Sequence, residues 1–130
     1  MKVTVAATQM TCSWEIEENI TKAKKIINDA ANKGANIILL QELFQTPYFC
    51  IEYDEEIFRL AKPFDDNTLL KEMSDIAKKL QVVLPISYFE KDKNAIGNGG
   101  VGEITKELQK SFMNIVMGKD KRFVRWLTYL

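Results

Sequence analysis

The run Ala35-Asn-Ile-Ile-Leu-Leu-Gln-Glu42, with four consecutive apolar residues at 37–40, constrains this chain most. Gly34 bounds it, Pro47 follows it, and it is too short for a buried helix, so it reads as an internal parallel strand covered on both faces. A parallel strand cannot be reached through a tight hairpin and needs a crossover, usually a helix. The preceding sequence supplies one. Residues 2–9 are short, rich in β-branched side chains and apolar on both faces, which predicts a first buried strand. Ser13 offers an N-cap oxygen, Glu15, Glu17 and Glu18 suit the positive end of a helix dipole, and Ile16, Ile20, Ala23, Ile27 and Ala31 fall on one stripe. Gly34 is the natural stop. Strand, helix and strand form a right-handed crossover unit. A second helix is predicted over 67–80, with Leu69, Leu70, Met73, Ile76, Ala77 and Leu80 at core spacing, and a third strand over 81–89. The fold class is α/β.

The character of the chain changes at Lys91. A polar turn precedes Ile96-Gly-Asn-Gly-Gly-Val-Gly102, a stretch that costs backbone entropy in any regular element and reads as a junction. From Ile104 the apolar residues Ile104, Leu108, Phe112, Ile115 and Val116 predict a last amphipathic helix ending at Gly118, followed by a Trp-bearing terminal segment. Gly97, Gly99 and Gly102 satisfy G-x-G-x-x-G, but charged and polar residues separate them from the third strand, whereas a dinucleotide-binding turn leaves its strand at once. A connector with chance spacing is the better reading.

With 130 residues, one ordinary domain is expected. Eighteen basic and eighteen acidic residues cancel, which removes the general electrostatic field of a nucleic-acid-binding or membrane-surface protein. Neither partner is expected. Two cysteines, Cys12 and Cys50, make no disulfide framework, and no signal segment precedes the first strand, so a cytoplasmic location is expected. There is no histidine, which excludes the usual Ser or Cys triads and His-based metal sites. No metal site is expected, and acid-base work must fall to Glu, Asp, Lys, Tyr or Cys.

Glu42 is the residue to single out. It closes an apolar strand, and ligands of open α/β sheets gather outside the carboxyl ends of strands, where a carboxylate suits general-base work. Alternatively it simply marks where a buried strand reaches solvent. Cys50, in the following loop, is a weaker candidate nucleophile, since a free cysteine is more often a small buried hydrophobe. Tyr48 and Phe49 are candidates to line a substrate pocket, or else they pack beneath the loop.

Taken in order, Val5-Ala-Ala-Thr-Gln9, Asn19-Ile20 with Lys22-Ala23, Ala30-Ala31, Gly34-Ala35 and residues 37–43 resemble the start of nitrilase-superfamily carbon-nitrogen hydrolases. Gln41-Glu-Leu-Phe44 followed by Pro47-Tyr-Phe-Cys50, and later Ala61 and Pro85-Ile-Ser-Tyr-Phe-Glu90, look most like the N-carbamoylputrescine amidase branch. The resemblance covers about residues 2–95. It implies a Glu, Lys and Cys set in which a thiolate attacks an amide or carbamoyl carbon, the Glu manages protons and the Lys stabilises the oxyanion, with Glu42 at the general-base position. It also implies a small-molecule amide or carbamoyl substrate, and it places the matching Lys and Cys motifs beyond the third strand, where this chain departs from the family pattern.

A second, shorter resemblance covers the tail. Ile96-Gly-Asn-Gly99, Gly102-Glu-Ile-Thr105, Leu108, Phe112, Ile115-Val116, Gly118 and Trp126-Leu-Thr-Tyr129 look like the C-terminal end of branched-chain aminotransferases. Those enzymes hold pyridoxal phosphate through a lysine in a part of the chain absent from this match, so no cofactor is expected. The expectation is therefore a partial nitrilase-like sandwich with a mostly parallel sheet and flanking helices over residues 1–95. A Gly-rich junction and a C-terminal helical tail occupy 96–130. The complete family fold is a four-layer sandwich, so an uncovered sheet face and self-association into a homo-oligomer are expected as well.

Overall fold

The computed structural model describes residues 2–49, 55–89, 110–117 and 124–129. Its elements are β1 (Val5–Ala7), α1 (Ile16–Asn32), β2 (Ile37–Leu39), a 3-10 helix (Glu55–Leu60), α2 (Thr68–Leu80), β3 (Val83–Tyr88), β4 (Lys110–Met117) and β5 (Val124–Tyr129). One sheet has the order β1-β2-β3-β4-β5. Its first three strands are parallel, with Val5 opposite Ile37 and Ile37 opposite Val83, as the crossover pattern predicts.

The three N-terminal strand ends are tied by Asn36. Its side-chain oxygen accepts from the Thr4 N–H at 2.9 Å, its N–H donates to the Thr4 carbonyl at 2.7 Å, and its carbonyl accepts from Val83 at 2.8 Å. Gly34 makes the sharp entry into this end of the sheet. Its φ of +87° lies in the left-handed region, and a Cβ there would meet nothing within 4 Å, so backbone conformation rather than space requires the glycine.

Both helices cover one face of the sheet. Ile20, Ala23 and Ile27 of α1 and Leu69, Leu70, Met73 and Ala77 of α2 share one core with Ile38, Leu84 and Ile86, whose alternation in β2 and β3 puts them on the same side. An ion pair between Lys24 and Glu72 joins the two helices at the surface. Asn67 caps α2 by accepting the Leu69 N–H at 3.1 Å, which agrees with the predicted start.

Three expectations are corrected. The first two strands are not buried on both faces: Val5 is 63% and Leu39 40% exposed, no described element packs on that side, and this is the uncovered face that the family resemblance implies. Ser13 does not cap α1. Its hydroxyl accepts from the Glu15 N–H at 3.2 Å one residue before the helix starts, and Glu15 at the cap makes no side-chain bond. Finally, the helical tail is a pair of strands wherever it is described. β4 runs antiparallel to β3 from Val83 opposite Met117 to Tyr88 opposite Phe112, and β5 runs antiparallel to β4. A sheet ending at β3 would leave a rim of unpaired backbone groups, and a β-rich segment pairs with it in preference to forming an isolated helix. β1 to β3 keep the expected parallel arrangement, and β4 and β5 extend the sheet antiparallel. The predicted junction at Gly97, Gly99 and Gly102 lies outside the described residues, as does Cys50.

Candidate functional site

β2 stops at Leu39, whose carbonyl accepts from both the Thr8 N–H at 2.9 Å and the Thr8 hydroxyl at 3.1 Å. Leu40 still enters the core, Gln41 turns back toward β1, and Glu42 begins a turn over 42–45 at the carboxyl end of the sheet. Glu42 is half-buried, and among the described residues its carboxylate has no ion-pair or hydrogen-bond partner. A carboxylate held at a strand end without a partner is available to take a proton from an incoming group.

The surroundings of Glu42 are polar and ordered. Gln41 reaches sideways: its side-chain oxygen accepts the Met10 N–H at 2.9 Å, and its amide donates to Cys12 Sγ at 3.2 Å. The Cys12 thiol in turn donates to the Phe44 carbonyl at 3.2 Å. Burial raises the Cys12 thiol above its ordinary value, and the Lys22 charge offsets part of that, so the thiol is protonated at neutral pH. A protonated thiol suits a hydrogen-bond donor and not a nucleophile. Asn19, fully buried on α1, donates to the Ser13 carbonyl at 2.6 Å and to the Gln45 carbonyl at 2.9 Å, and accepts from the Ser13 N–H at 3.1 Å.

The two aromatic candidates separate. Tyr48 stands at the surface, 41% exposed, whereas Phe49 is 3% exposed and packs on Phe89 with ring centroids 5.3 Å apart and planes at 60°. Phe49 shares a small core with Leu43 and Ile57 beneath the turn. It also lines a cavity of about 460 Å³ together with Ile20, Leu43, Thr46, Asn67 and Phe89, which Glu42 does not line. Among the described residues no group of three His, Cys, Asp or Glu side chains could hold a metal, and no helix is long and apolar enough to cross a membrane.

Sequence reasoning singled out Glu42 and missed its supports. Gln41, Cys12 and Asn19 act through partners distant in sequence, and no local spacing announces them. Ser87 was missed too. Its hydroxyl is buried in β3 without a hydrogen-bond partner among the described residues, at the same end of the sheet as Gln41.

Comparison with known proteins fits this geometry. The carbon-nitrogen hydrolase family matches residues 4–106. The chain is similar to N-carbamoylputrescine amidase of Solanum lycopersicum, with 45% identity over 93 residues, which cover 72% of this chain and 31% of that protein. It is also similar to citrullinase of Francisella tularensis, with 38% identity covering 74% of this chain and 34% of that protein. A carbon-nitrogen hydrolase from Helicobacter pylori superposes with a TM-score of 0.76 at 21% identity, over 97% of this chain and 39% of that one. The chain thus spans about a third of the length of the curated relatives it matches. A separate match joins 39 residues, at 51% identity, to a probable branched-chain-amino-acid aminotransferase of Aquifex aeolicus, covering 30% of this chain and 12% of that protein. With an acid at the carboxyl end of β2 in an α/β layer, and a family match over most of its length, the chain belongs to the carbon-nitrogen hydrolase family of the nitrilase superfamily.

Proposed function

We propose that this chain is the general-base portion of a carbon-nitrogen hydrolase for linear amides or N-carbamoyl amines, with Glu42 as the base. The observation that carries the reading is the Glu42 carboxylate, without a partner among the described residues, just beyond a parallel strand. The two curated relatives described above are named for substrates that carry a carbamoyl group on nitrogen, which supports that substrate class. In the reaction the family resemblance implies, a thiolate adds to the carbamoyl carbon and an amine leaves with a proton. Glu42 would accept a proton from the thiol or from the hydrolytic water and return it to the leaving group.

The described residues put no ion-paired lysine beside Glu42, and the Cys12 thiol, which bonds to its turn, is a hydrogen-bond donor. On this reading the chain alone is inactive, and a complementary piece supplies the lysine and the nucleophile. A split-enzyme assay tests this. The purified chain is mixed with N-carbamoylputrescine and with a form of the tomato amidase lacking the third that this chain matches. Ammonia release only from the mixture, lost with Glu42→Gln, is the expected result. Turnover by the chain alone would overturn its inactivity, and a folded mixture with no turnover would overturn the hydrolase reading.

The open apolar sheet face around Val5 and Leu39 favours one rival, a non-catalytic assembly module. That rival predicts a dimer or larger species and no turnover in either arm of the assay.

A further inference from the structure

The turn that begins at Glu42 is held with unusual completeness. Three successive carbonyls after Glu42 are each taken by a different donor: Leu43 by the Thr46 N–H at 3.1 Å, Phe44 by the Cys12 thiol at 3.2 Å and Gln45 by the Asn19 amide at 2.9 Å. On the other side, the Gln41 side chain is fixed by the Met10 N–H and by Cys12 Sγ. Cys12 therefore touches the chain both before and after Glu42, and it bridges the turn. Within the turn Leu43 has a φ of 51°, the left-handed region that a branched side chain adopts only at a cost on the order of 1 kcal/mol. Its side chain is buried with Phe49 and Ile57, so packing from below and hydrogen bonds from the side together hold a conformation the residue does not favour. Among the described residues the Glu42 side chain itself makes no hydrogen bond or ion pair.

We propose that Cys12, with Gln41 and Asn19, forms a clamp that fixes the strained turn over 42–45 and so aims the Glu42 carboxylate, which makes Cys12 a positioning residue. The functional meaning of that aim rests on the reading of Glu42 as the base; the clamp itself does not. The raised thiol agrees with the assignment, since the bond to the Phe44 carbonyl needs the proton to stay on sulfur. Serine can make the same two bonds, donating to one oxygen and accepting from one amide. Alanine can make neither.

The test uses the full chain and needs no turnover. Isotope-labelled wild type, Cys12→Ala and Cys12→Ser are compared by NMR, following the Glu42 carboxyl carbon, identified by its loss in Glu42→Gln, and the amide exchange of Met10 and Thr46. In Cys12→Ala the Glu42 carboxyl resonance moves and the two amides exchange about tenfold faster, while Met73 and Ala77 in α2 keep their wild-type rates. Cys12→Ser returns all of these readouts to wild type. An unmoved Glu42 resonance with unchanged Met10 and Thr46 exchange in Cys12→Ala overturns the clamp. Should that variant fail to fold, Gln41→Met carries the same expectations, because it removes the other link to Cys12. If neither variant folds, wild type decides: a Met10 amide that exchanges as fast as in an unstructured peptide overturns the proposal, and a protected one upholds it. Because these readouts are spectroscopic, a failed split-enzyme assay leaves the clamp standing, and restored turnover with no clamp signature leaves the hydrolase reading standing.

Discussion

Asn19 shows how much one buried amide can organise. It sits on the apolar stripe of α1 between Ile16 and Ala23, yet it has no exposed surface and makes three hydrogen bonds to two loops. Replacing it with leucine keeps the branched shape and raises helix propensity but leaves two carbonyls and one N–H without their partner, a loss of about 2–4 kcal/mol. A urea denaturation curve of Asn19→Leu should show a lower midpoint with an unchanged slope. The residue was visible in the family resemblance only as part of a motif. Its task depends on Ser13 and Gln45, and no helix-periodicity argument reaches the second of them. The place of Glu42 just beyond a strand end was legible for the opposite reason: an acid that ends a run of apolar strand residues is a local signal. Gln41 and Cys12 look unremarkable locally, and only the folded turn gives them a role.

At the scale of elements, local chemistry and long-range pairing divide the successes from the corrections. α2 follows its sequence closely because Asn67 caps it and its apolar spacing is regular. Gly34 likewise stops α1 where expected, and its positive φ makes a sharp prediction. Gly34→Ala meets no steric obstacle, so the whole effect is the left-handed backbone penalty, about 1 kcal/mol, read as a lower thermal midpoint. Ser13 lies two residues ahead of the observed cap at Glu15, and its oxygen serves a turn before the helix. The tail was read as a helix because Phe112, Ile115 and Val116 sit at helical spacing. Short segments of that kind are ambiguous, and what decided the outcome was the free rim of β3, a distant partner no local pattern reveals.

For the molecule as a whole, the main consequence is asymmetry. Helices cover one face of the sheet, and the other presents Val3, Val5 and Leu39 to solvent. Apolar surface of that kind drives association, so the chain should sediment with increasing apparent mass as its concentration rises. Val5→Lys combined with Leu39→Lys should shift it toward monomer and reduce binding of a hydrophobic dye, without loss of helical circular dichroism. The sequence reading foresaw the open face only through the family resemblance, because the strands themselves look apolar on both sides.

β3 pairs in one direction with β2 and in the opposite direction with β4. On a translating ribosome, β1 to β3 emerge before β4, so for a time the newest strand has one neighbour and one bare rim. Until residues 110–117 pair with it, that rim is an edge to which another extended chain can add, and their pairing closes it.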